Sequence, residues 1–476
     1  MKDYLTKIND PALDKAGRLT ALRALQAEDP AEGATKAAGD TTRNFQRFSA
    51  EINNHIHTIY SFSPYSPSMA ALLARDAGLG AAGSVDHDSV AAAEEMLTAC
   101  AILGIGGCTG FEVRVSFRTG ADGKASPFAL RKMNNPDSEG LAYMTVQGIP
   151  RQSVKKAAEF LAPLRARRLE RSKAMTVSAN IMLHDAGLSE IDFERDVFAR
   201  SKYLEEGGIT DRHLLAAMAE KFILKYGKGP DLVEGLVSKM GVTVSPRLAA
   251  HLSDTGNPHY LYDLLGVLKA EFLPGIFIQP DGKECLPAAR VTAFADSIGA
   301  VPAYPYLGDV GESPTGDKKA EKFEDDYIDE LFAEISRLGY RALAYMPPRN
   351  TLAQLRNLRR LTAEWGFMEI SGVDINSSRQ SFNCPEIQQT EFRHLIDSTW
   401  ALIAHERLAS VDLRYGLFSR ENPFASMDLI GRLELYSGLG KRFDLFNPDE
   451  SAVEIVHEME KGNNDKYLNK GAGAQR

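Results

Sequence analysis

The sequence has few cysteines and no long apolar run, and both shortages exclude classes of protein. Its 476 residues include only four cysteines, and none of them form a CxxC pair. Scattered cysteines fit buried free thiols better than a disulfide framework or a zinc–thiolate site. No apolar stretch approaches the length of a membrane span, and the opening segment, MKDYLTKINDPALDK, lacks an apolar leader. We therefore expect a cytoplasmic protein without a membrane partner.

An excess of positive charge is also missing. The chain carries 55 basic against 64 acidic residues, a formal net charge of −9, which gives no bulk attraction to long nucleic acids or anionic lipids. We find no Gly-rich phosphate loop, no GxSxG motif and no Cys/His pair, so nucleophilic serine or cysteine chemistry is disfavoured. The apolar fraction of 44% is ordinary for a chain that buries a large core.

Strand-like and helix-like segments alternate along much of the chain, a pattern typical of a parallel α/β sheet or barrel. The alternation begins near residue 46 and is interrupted by a long stretch of helical texture. The predicted segments are an N-terminal helical appendage and linker (1–45), the first part of an α/β domain (46–150), a helical insertion (151–290), the second part of the α/β domain (291–417), and a C-terminal helical extension with a mobile polar tail (418–476).

Side chains of the kind that bind metals recur where the predicted strands end. His55 and His57 are two residues apart, so on a strand both imidazoles share one face. His87 follows 30 residues after His57, and Glu112 follows 25 residues after His87. These intervals are close to the roughly 30 residues of one βα unit of a barrel. Together with Asp374, in SGVDIN, these residues could bind Zn²⁺, Mn²⁺ or Fe²⁺, and such an ion activates water for hydrolysis.

The motifs around these residues resemble those of the PHP (polymerase and histidinol phosphatase) superfamily. NNHIHTIYSFS, SVDHDSV, TGFEV, AYP and SGVDIN are similar, in the same order, to the family patterns DxHxHTxxS, TDH, GxE, AHP and GSDxH. Residues 151–275 also resemble the helical insertion of PHP phosphoesterases that act on small nucleotides. The resemblance implies a distorted (β/α)7 TIM-like barrel with an inserted helical domain and helical N- and C-terminal extensions. It also implies phosphoester hydrolysis by up to three metals at the C-terminal ends of the strands.

Carried over residue by residue, the resemblance implies one complete metal site. Its ligands would be His55, His57, Glu112 and Asp374, with His87 as the remaining ligand of a second position. The carry-over assigns catalytic roles to Glu112, Asp374 and His87.

Two departures from the family pattern limit the number of metals. Tyr304 and Asn376 stand where the family has histidines. A phenol is more often a hydrogen-bond donor than a ligand, and an amide oxygen binds borderline ions weakly. We therefore expect one full divalent site, with Asn376 as a weak additional ligand and Tyr304 as a substrate-binding residue. Asp86 is expected to orient a ligand imidazole rather than to bind the metal.

Several basic residues could bind the phosphate of a substrate. Arg349 and Arg379 follow predicted strand ends, where a guanidinium could bind phosphate in bidentate fashion, and a surface ion pair is the alternative for each. The basic run 165–173 could hang over the site from the insertion, although a solvated helix face is favoured. For Arg212 and His213, at the start of a predicted helix, we favour a structural cap over anion binding.

These observations lead to two functional hypotheses. The first is a metal-dependent phosphoesterase that hydrolyses a phosphomonoester or small nucleotide with a metal-activated water. The second is a PHP-derived module that binds a metal or a phosphorylated ligand without turnover, because its lost histidines reflect lost catalysis. A 3′–5′ nuclease is disfavoured by the acidic chain and by the insertion, which would cap the cleft. The sequence leaves the metal identity and the oligomeric state open, and the expected partner is a small phosphorylated molecule.

Overall fold

Seven strands follow one another around a nearly closed barrel, and an eighth, short strand pairs at its edge. In a computed structural model, residues 2–28, 47–135, 137–309 and 324–461 are described. The predicted N-terminal linker, from residue 29, and the predicted mobile tail, from residue 462, lie outside them. Within the described residues the strands are β1 (Ile52–Ile56), β2 (Ala81–His87), β3 (Gly106–Ser116), β4 (Leu141–Gln147), β5 (Leu286–Pro287), β6 (Val301–Pro305), β7 (Ala342–Tyr345) and β8 (Met368–Ser371).

The strand order confirms the predicted distorted TIM-like barrel. It runs β1-β2-β3-β4-β6-β7-β8, with β5 paired to β3. A parallel bridge between Ile56 and Ile375 joins the two ends of the path. The expectation of parallel strands is wrong at β4, which runs antiparallel to both β3 and β6. The described residues of the connection from β3 to β4 (117–135 and 137–140) form no helix, and antiparallel pairing is what a connection without a crossover permits.

Helices pack around the barrel and fill the long interval between β4 and β5. The helices of the described residues are α1 (Lys2–Ile8), α2 (Lys15–Ala27), α3 (Pro67–Asp76), α4 (Ala93–Leu103), α5 (Val154–Asp185), α6 (Asp211–Tyr226), α7 (Pro230–Glu234), α8 (Pro246–Ser253), α9 (Tyr260–Glu271), α10 (Leu273–Ile276), α11 (Ala288–Ser297), α12 (Ile328–Arg337), α13 (Leu352–Trp365), α14 (His394–Val411), α15 (Leu429–Gly440) and α16 (Pro448–Glu460). Helices α5 to α10 bury a hydrophobic core of their own, distinct from the core around the barrel. We call α5 to α10 and their connections the insertion.

Helix α14 closes the end of the barrel where the parallel strands begin. Nearly all of its residues are buried. The Trp400 indole donates to the carbonyl of Phe48, just before β1 (3.0 Å), and Glu406 accepts from the backbone N–H of Thr109, early in β3 (2.8 Å). Access to the barrel is therefore left to the opposite end, where the strands finish. Despite its apolar faces, neither α14 nor another described helix has the length and hydrophobicity needed to cross a membrane.

Candidate metal centre

The backbone of the first three strands brings metal-binding side chains to the open end of the barrel. His87 ends β2 and pairs in register with Glu112 of β3, so the two side chains point to the same face. The register of β1 against β2 shifts between Asn53 and Ile56, an irregularity of the kind that re-aims side chains beside functional sites. His55 lies within this irregular stretch, and His57 directly follows β1.

Asp374 completes the set from the other end of the barrel path. It lies three residues after β8. The backbone at Ile375 exchanges hydrogen bonds with the β1 segment, because His57 N–H donates to the Ile375 carbonyl (2.9 Å) and Ile375 N–H donates to the His55 carbonyl (3.0 Å). The closure of the barrel therefore places the Asp374 carboxylate beside the two histidines.

The donor atoms of these five side chains converge, but two subsets of three, rather than all five or the predicted four, lie close enough to share one ion. His87 Nδ1 is 2.9 Å from Glu112 Oε2, and His57 Nε2 is 3.3 Å from Asp374 Oδ1. His55 Nε2 is 3.7 Å from Glu112 Oε1. Ligands about 2.1 Å from an ion are themselves about 3.0 to 3.4 Å apart in octahedral or tetrahedral geometry. Two groups could hold an ion, His55/His57/Asp374 and His57/His87/Glu112.

The chemistry of the donors also fits a divalent cation. His87 Nδ1 is buried and has no hydrogen bond of acceptable geometry, although Glu112 Oε2 is close to it. Two ligands that share an ion have this relation, since both direct lone pairs to a common point rather than to each other. Three imidazoles and two carboxylates suit Zn²⁺, Mn²⁺ and Fe²⁺. The residues brought together therefore fit the predicted metal.

The Asp374 carboxylate favours positive charge at His57, whereas burial lowers the pKa of His55 and of His87. Burial lowers the pKa of His57, but the hydrogen bond and charge of Asp374 outweigh burial, and the net shift is upward. Burial raises the pKa of Asp374, yet the bond to His57 and the nearby imidazole charges hold it well below its usual range. A metal ion bound to His57 would occupy the position of the proton that the Asp374 carboxylate stabilises on this imidazole. The charge of Asp374 therefore also stabilises a bound metal ion.

A hydrogen-bonded chain behind His57 fixes which ring nitrogen faces the centre. Asp86 accepts hydrogen bonds from Thr58 N–H (2.6 Å), from the Thr58 hydroxyl (2.6 Å) and from the Ser61 hydroxyl (2.5 Å). Because the Ser61 proton is directed to Asp86, the Ser61 oxygen, 3.3 Å from His57 Nδ1, accepts the Nδ1 proton. The lone pair of His57 is then on Nε2, the nitrogen nearest to Asp374. Asp86 thus orients an imidazole, as predicted, but through Ser61 rather than directly.

The structure places Asn376 and Tyr304 outside the group of converging donors. The Asn376 side-chain N–H donates to Asp374 Oδ1 (2.6 Å), so its amide nitrogen rather than its oxygen faces the carboxylate. Tyr304 is fully buried, and its hydroxyl donates to Glu324. Its ring packs against Phe117 in the core around the barrel. Asn376 therefore holds Asp374 in place, and the Tyr304 phenol turns away from the barrel interior.

The two arginines predicted to bind phosphate lie in loops that follow strands. The Arg379 guanidinium forms a bidentate ion pair with the buried carboxylate of Asp263 in α9, with Nη2 2.6 Å from Oδ2. This pairing supports the ion-pair alternative for Arg379. Arg349 is half-buried after β7, and its backbone N–H donates to the Met346 carbonyl. Its phosphate-binding role stays a prediction.

A buried ion-pair network that the sequence did not predict joins the insertion to the barrel. Arg168 Nε lies 2.9 Å from Asp88 Oδ2 and 3.3 Å from Glu284 Oε1. Arg171 also pairs with Glu284 (2.8 Å), and Arg114 of β3 pairs with Asp211 of α6 (3.1 Å). The favoured solvated face for the basic run is therefore wrong for Arg168 and Arg171. Their spacing of three residues along α5 was the available signal, because such residues share a helix face.

Arg212 and His213, the two residues at the start of α6 for which the sequence predicts a structural cap, have different roles in the structure. His213 does form the cap, because Thr210 N–H donates to His213 Nδ1 (3.0 Å). Arg212 does not contribute to it. Its Nη1 donates to the backbone carbonyl of Asn376 (2.6 Å), which places a guanidinium from the insertion beside the segment that carries Asp374.

Comparisons with known proteins concern the fold. No protein-family profile matches this sequence, and a search of curated proteins gives no match. Among solved structures, a protein from Bifidobacterium adolescentis, provisionally described as a metal-dependent phosphoesterase, is similar with 18% identity and a TM-score of 0.43, over 70% of this chain and 91% of that one. An amidohydrolase from Chromobacterium violaceum, solved with bound sulfate and no metal, is similar with 17% identity and a TM-score of 0.44, over 73% of this chain and 97% of that one.

Proposed function

We propose that this protein is a metal-dependent phosphoesterase that hydrolyses a phosphomonoester or a small nucleotide. The observation that carries the proposal is the convergence of three imidazoles and two carboxylates at the open end of the barrel, with neighbouring donor atoms 2.9 to 4.0 Å apart. The five residues come from three strands and from the segment after the last strand. A purely structural role does not require so many ionisable groups to face one another in a buried site.

The side chains have separate tasks in the proposed reaction. His55, His57, Glu112 and Asp374 hold a divalent cation, and the two carboxylates balance its charge. Such an ion lowers the pKa of a coordinated water and neutralises charge on a phosphoryl oxygen. His87, beside Glu112, is either a further ligand or the base that accepts a proton from the attacking water.

A second candidate function is binding of a metal or phosphorylated ligand without turnover. The positions of Tyr304 and Asn376 favour it, because neither side chain adds a donor to the centre. A single ion lacks the paired clamp that stabilises the attacking and leaving oxygens together in two-metal sites. The two candidates agree on the metal and differ on catalysis.

Elemental analysis and a phosphoester panel test both candidates in one experiment. The panel contains phosphomonoesters and short nucleotides and is run on the wild type, on His57→Ala and on His184→Ala as control. His184 is the matched control because its side chain is 79% exposed and lies at the end of α5. Stoichiometric metal and hydrolysis, both lost in His57→Ala and kept in His184→Ala, support the phosphoesterase. Metal without hydrolysis of any substrate supports the second candidate, and no bound metal overturns the phosphoesterase and the metal-binding form of the second candidate.

A further inference from the structure

The guanidinium of Arg212 occupies a distinctive position at the rim of the metal centre. Arg212 belongs to the insertion and is half-buried, in contrast to the deeply buried Arg168 of the ion-pair network. Its bond to the Asn376 carbonyl, and the bond from the Asn376 amide to Asp374, form a short path from the guanidinium to a proposed ligand. The insertion thus presents a positive charge directly beside the barrel opening.

The neighbouring guanidinium groups already have carboxylate partners, whereas the Arg212 guanidinium donates a hydrogen bond to the neutral carbonyl of Asn376. Arg114, Arg168 and Arg171 each have a nitrogen 2.8 to 3.1 Å from a carboxylate oxygen, and Arg379 forms its bidentate ion pair with Asp263. No carboxylate oxygen lies within 4.0 Å of the Arg212 guanidinium among the ion pairs of the described residues. The charge of Arg212 acts on the Asp374 carboxylate without a direct ion pair and is therefore available to an anion, while those of the other four are compensated.

The charge balance of the metal centre indicates a role for the Arg212 guanidinium. The two ligand carboxylates carry two negative charges, which one divalent cation balances, and the imidazoles are neutral when they bind a metal. A phosphoryl group then meets a neutral centre unless a further cation is present. Arg212 supplies that cation, and one bond to the Asn376 carbonyl leaves other N–H groups of its planar fork for phosphoryl oxygens.

We propose that Arg212 is a substrate-binding residue that holds the phosphoryl group of the substrate against the metal centre. This inference rests on the proposed function and names the residue that replaces Arg379 as the phosphate clamp. It also gives the insertion a direct part in the site, since the clamp comes from α6 and not from a barrel loop. The substrate class that fits is a small phosphate ester whose phosphoryl group carries two negative charges.

Binding of inorganic phosphate tests the inference without requiring turnover. Phosphate is titrated by calorimetry into full-length protein loaded with Mn²⁺, as wild type, Arg212→Ala, Arg212→Lys and Arg167→Ala. Arg167 is the matched control because it removes the same charge from the insertion at an exposed position, where Arg167 pairs with Asp281. We expect Arg212→Ala to weaken phosphate binding about 10- to 100-fold, the usual effect of losing a charged hydrogen bond. Arg212→Lys keeps the charge without the fork and should fall in between.

Metal content and melting temperature separate binding from a structural role. The inference is supported if phosphate affinity falls in Arg212→Ala while metal stoichiometry and melting temperature match those of Arg167→Ala. Unchanged phosphate affinity overturns it, and so does a parallel loss of phosphate and metal, because Arg212 would then act only by holding Asn376 and Asp374. The same variant should raise KM more than it lowers kcat on any ester that the panel identifies. A wild type that binds phosphate but hydrolyses nothing removes the proposed catalysis and leaves the assignment of Arg212 intact.

Discussion

Replacing Glu406 should change how the stability of the protein depends on pH. Glu406 lies in α14, the helix that closes the far end of the barrel, and is 1% exposed. Burial raises its pKa to about 7, against the smaller opposing effects of the Arg407 charge and of hydrogen bonds from Thr109. Arg407 is itself engaged with Asp449 (2.7 Å). The Glu406 carboxyl therefore keeps its proton in the folded protein at pH values where it loses it in the unfolded chain.

The sign and size of the effect follow from this difference in proton binding. An unfolded glutamate titrates at about 4.5, so between about pH 4.5 and 7 the folded state binds more protons than the unfolded state. The free energy of unfolding therefore decreases as pH rises through this window, by about 3 kcal/mol in total for this one group. In Glu406→Gln the group no longer titrates, and the amide oxygen can still accept from Thr109 N–H. For a chain of this length, about 3 kcal/mol corresponds to about 3 °C in melting temperature.

The assay is thermal unfolding of wild type and Glu406→Gln at pH 5 and pH 8. We expect similar melting temperatures at pH 5, where Glu406 is protonated, and an advantage of about 3 °C for the variant at pH 8. Any constant cost of burying the new amide cancels in the difference between the two pH values. Glu454→Gln, at an exposed position of α16, is the control and should show no such difference. An advantage that does not grow with pH, or that reverses, would refute the reasoning.

Two further substitutions test the support of the site. Asp86→Asn removes the carboxylate that accepts from Ser61, so we expect Mn²⁺ affinity measured by calorimetry to fall about 10- to 100-fold, and an unchanged affinity would contradict the orienting role. Arg168→Met leaves the carboxylates of Asp88 and Glu284 without their shared partner and should lower the free energy of unfolding by about 3 to 5 kcal/mol in urea titrations. Arg167→Met, at an exposed ion pair, should change it by no more than about 0.5 kcal/mol, and equal effects of the two variants would contradict the buried network.

The positions of the ligand-type residues could be predicted because they depend on local patterns. His55 and His57 are two residues apart in the sequence, and His87 and Glu112 recur at the interval of one strand and one helix. Strand ends in a barrel share one level, so the recurrence alone brings these side chains together. Asp374 joins this group only because the barrel closes between β1 and the segment after β8. Its place in the site was predicted from the family resemblance, and composition alone could not have predicted it.

The direction of Tyr304 could not be predicted, because it depends on strand register. Successive residues of a strand point to opposite faces, so a shift of one residue exchanges the interior for the exterior. In β6 the parity sends Tyr304 outward to Phe117 and Glu324. A tyrosine also tolerates this position, since its ring joins the apolar core and its hydroxyl finds a carboxylate. Nothing in the motif AYP distinguishes this arrangement from one that faces the substrate.

The roles of the arginines could not be predicted for a different reason. A guanidinium on a helix or in a loop can face solvent, a carboxylate or a ligand. The sequence shows only the element that carries the arginine. Arg168 pairs with Asp88, which lies 80 residues away in the sequence, and Arg379 pairs with Asp263, which lies 116 residues away. Only the docking of the insertion on the barrel brings them together. The same docking separates Arg379, which is neutralised, from Arg212, which is not.

The distribution of donors around the barrel opening supports the proposal that Arg212 binds the phosphoryl group. The two metal-binding groups of the described residues take every ligand from β1 to β3 and from the segment after β8. On the opposite side, next to His55, the wall contains Gln147, Ala344 and Ile370, and it encloses a cavity of about 30 Å³. The residues that line this cavity offer neither a second set of ligands nor a positive charge. We therefore expect a phosphoryl group at the centre to contact the insertion, where α6 places Arg212.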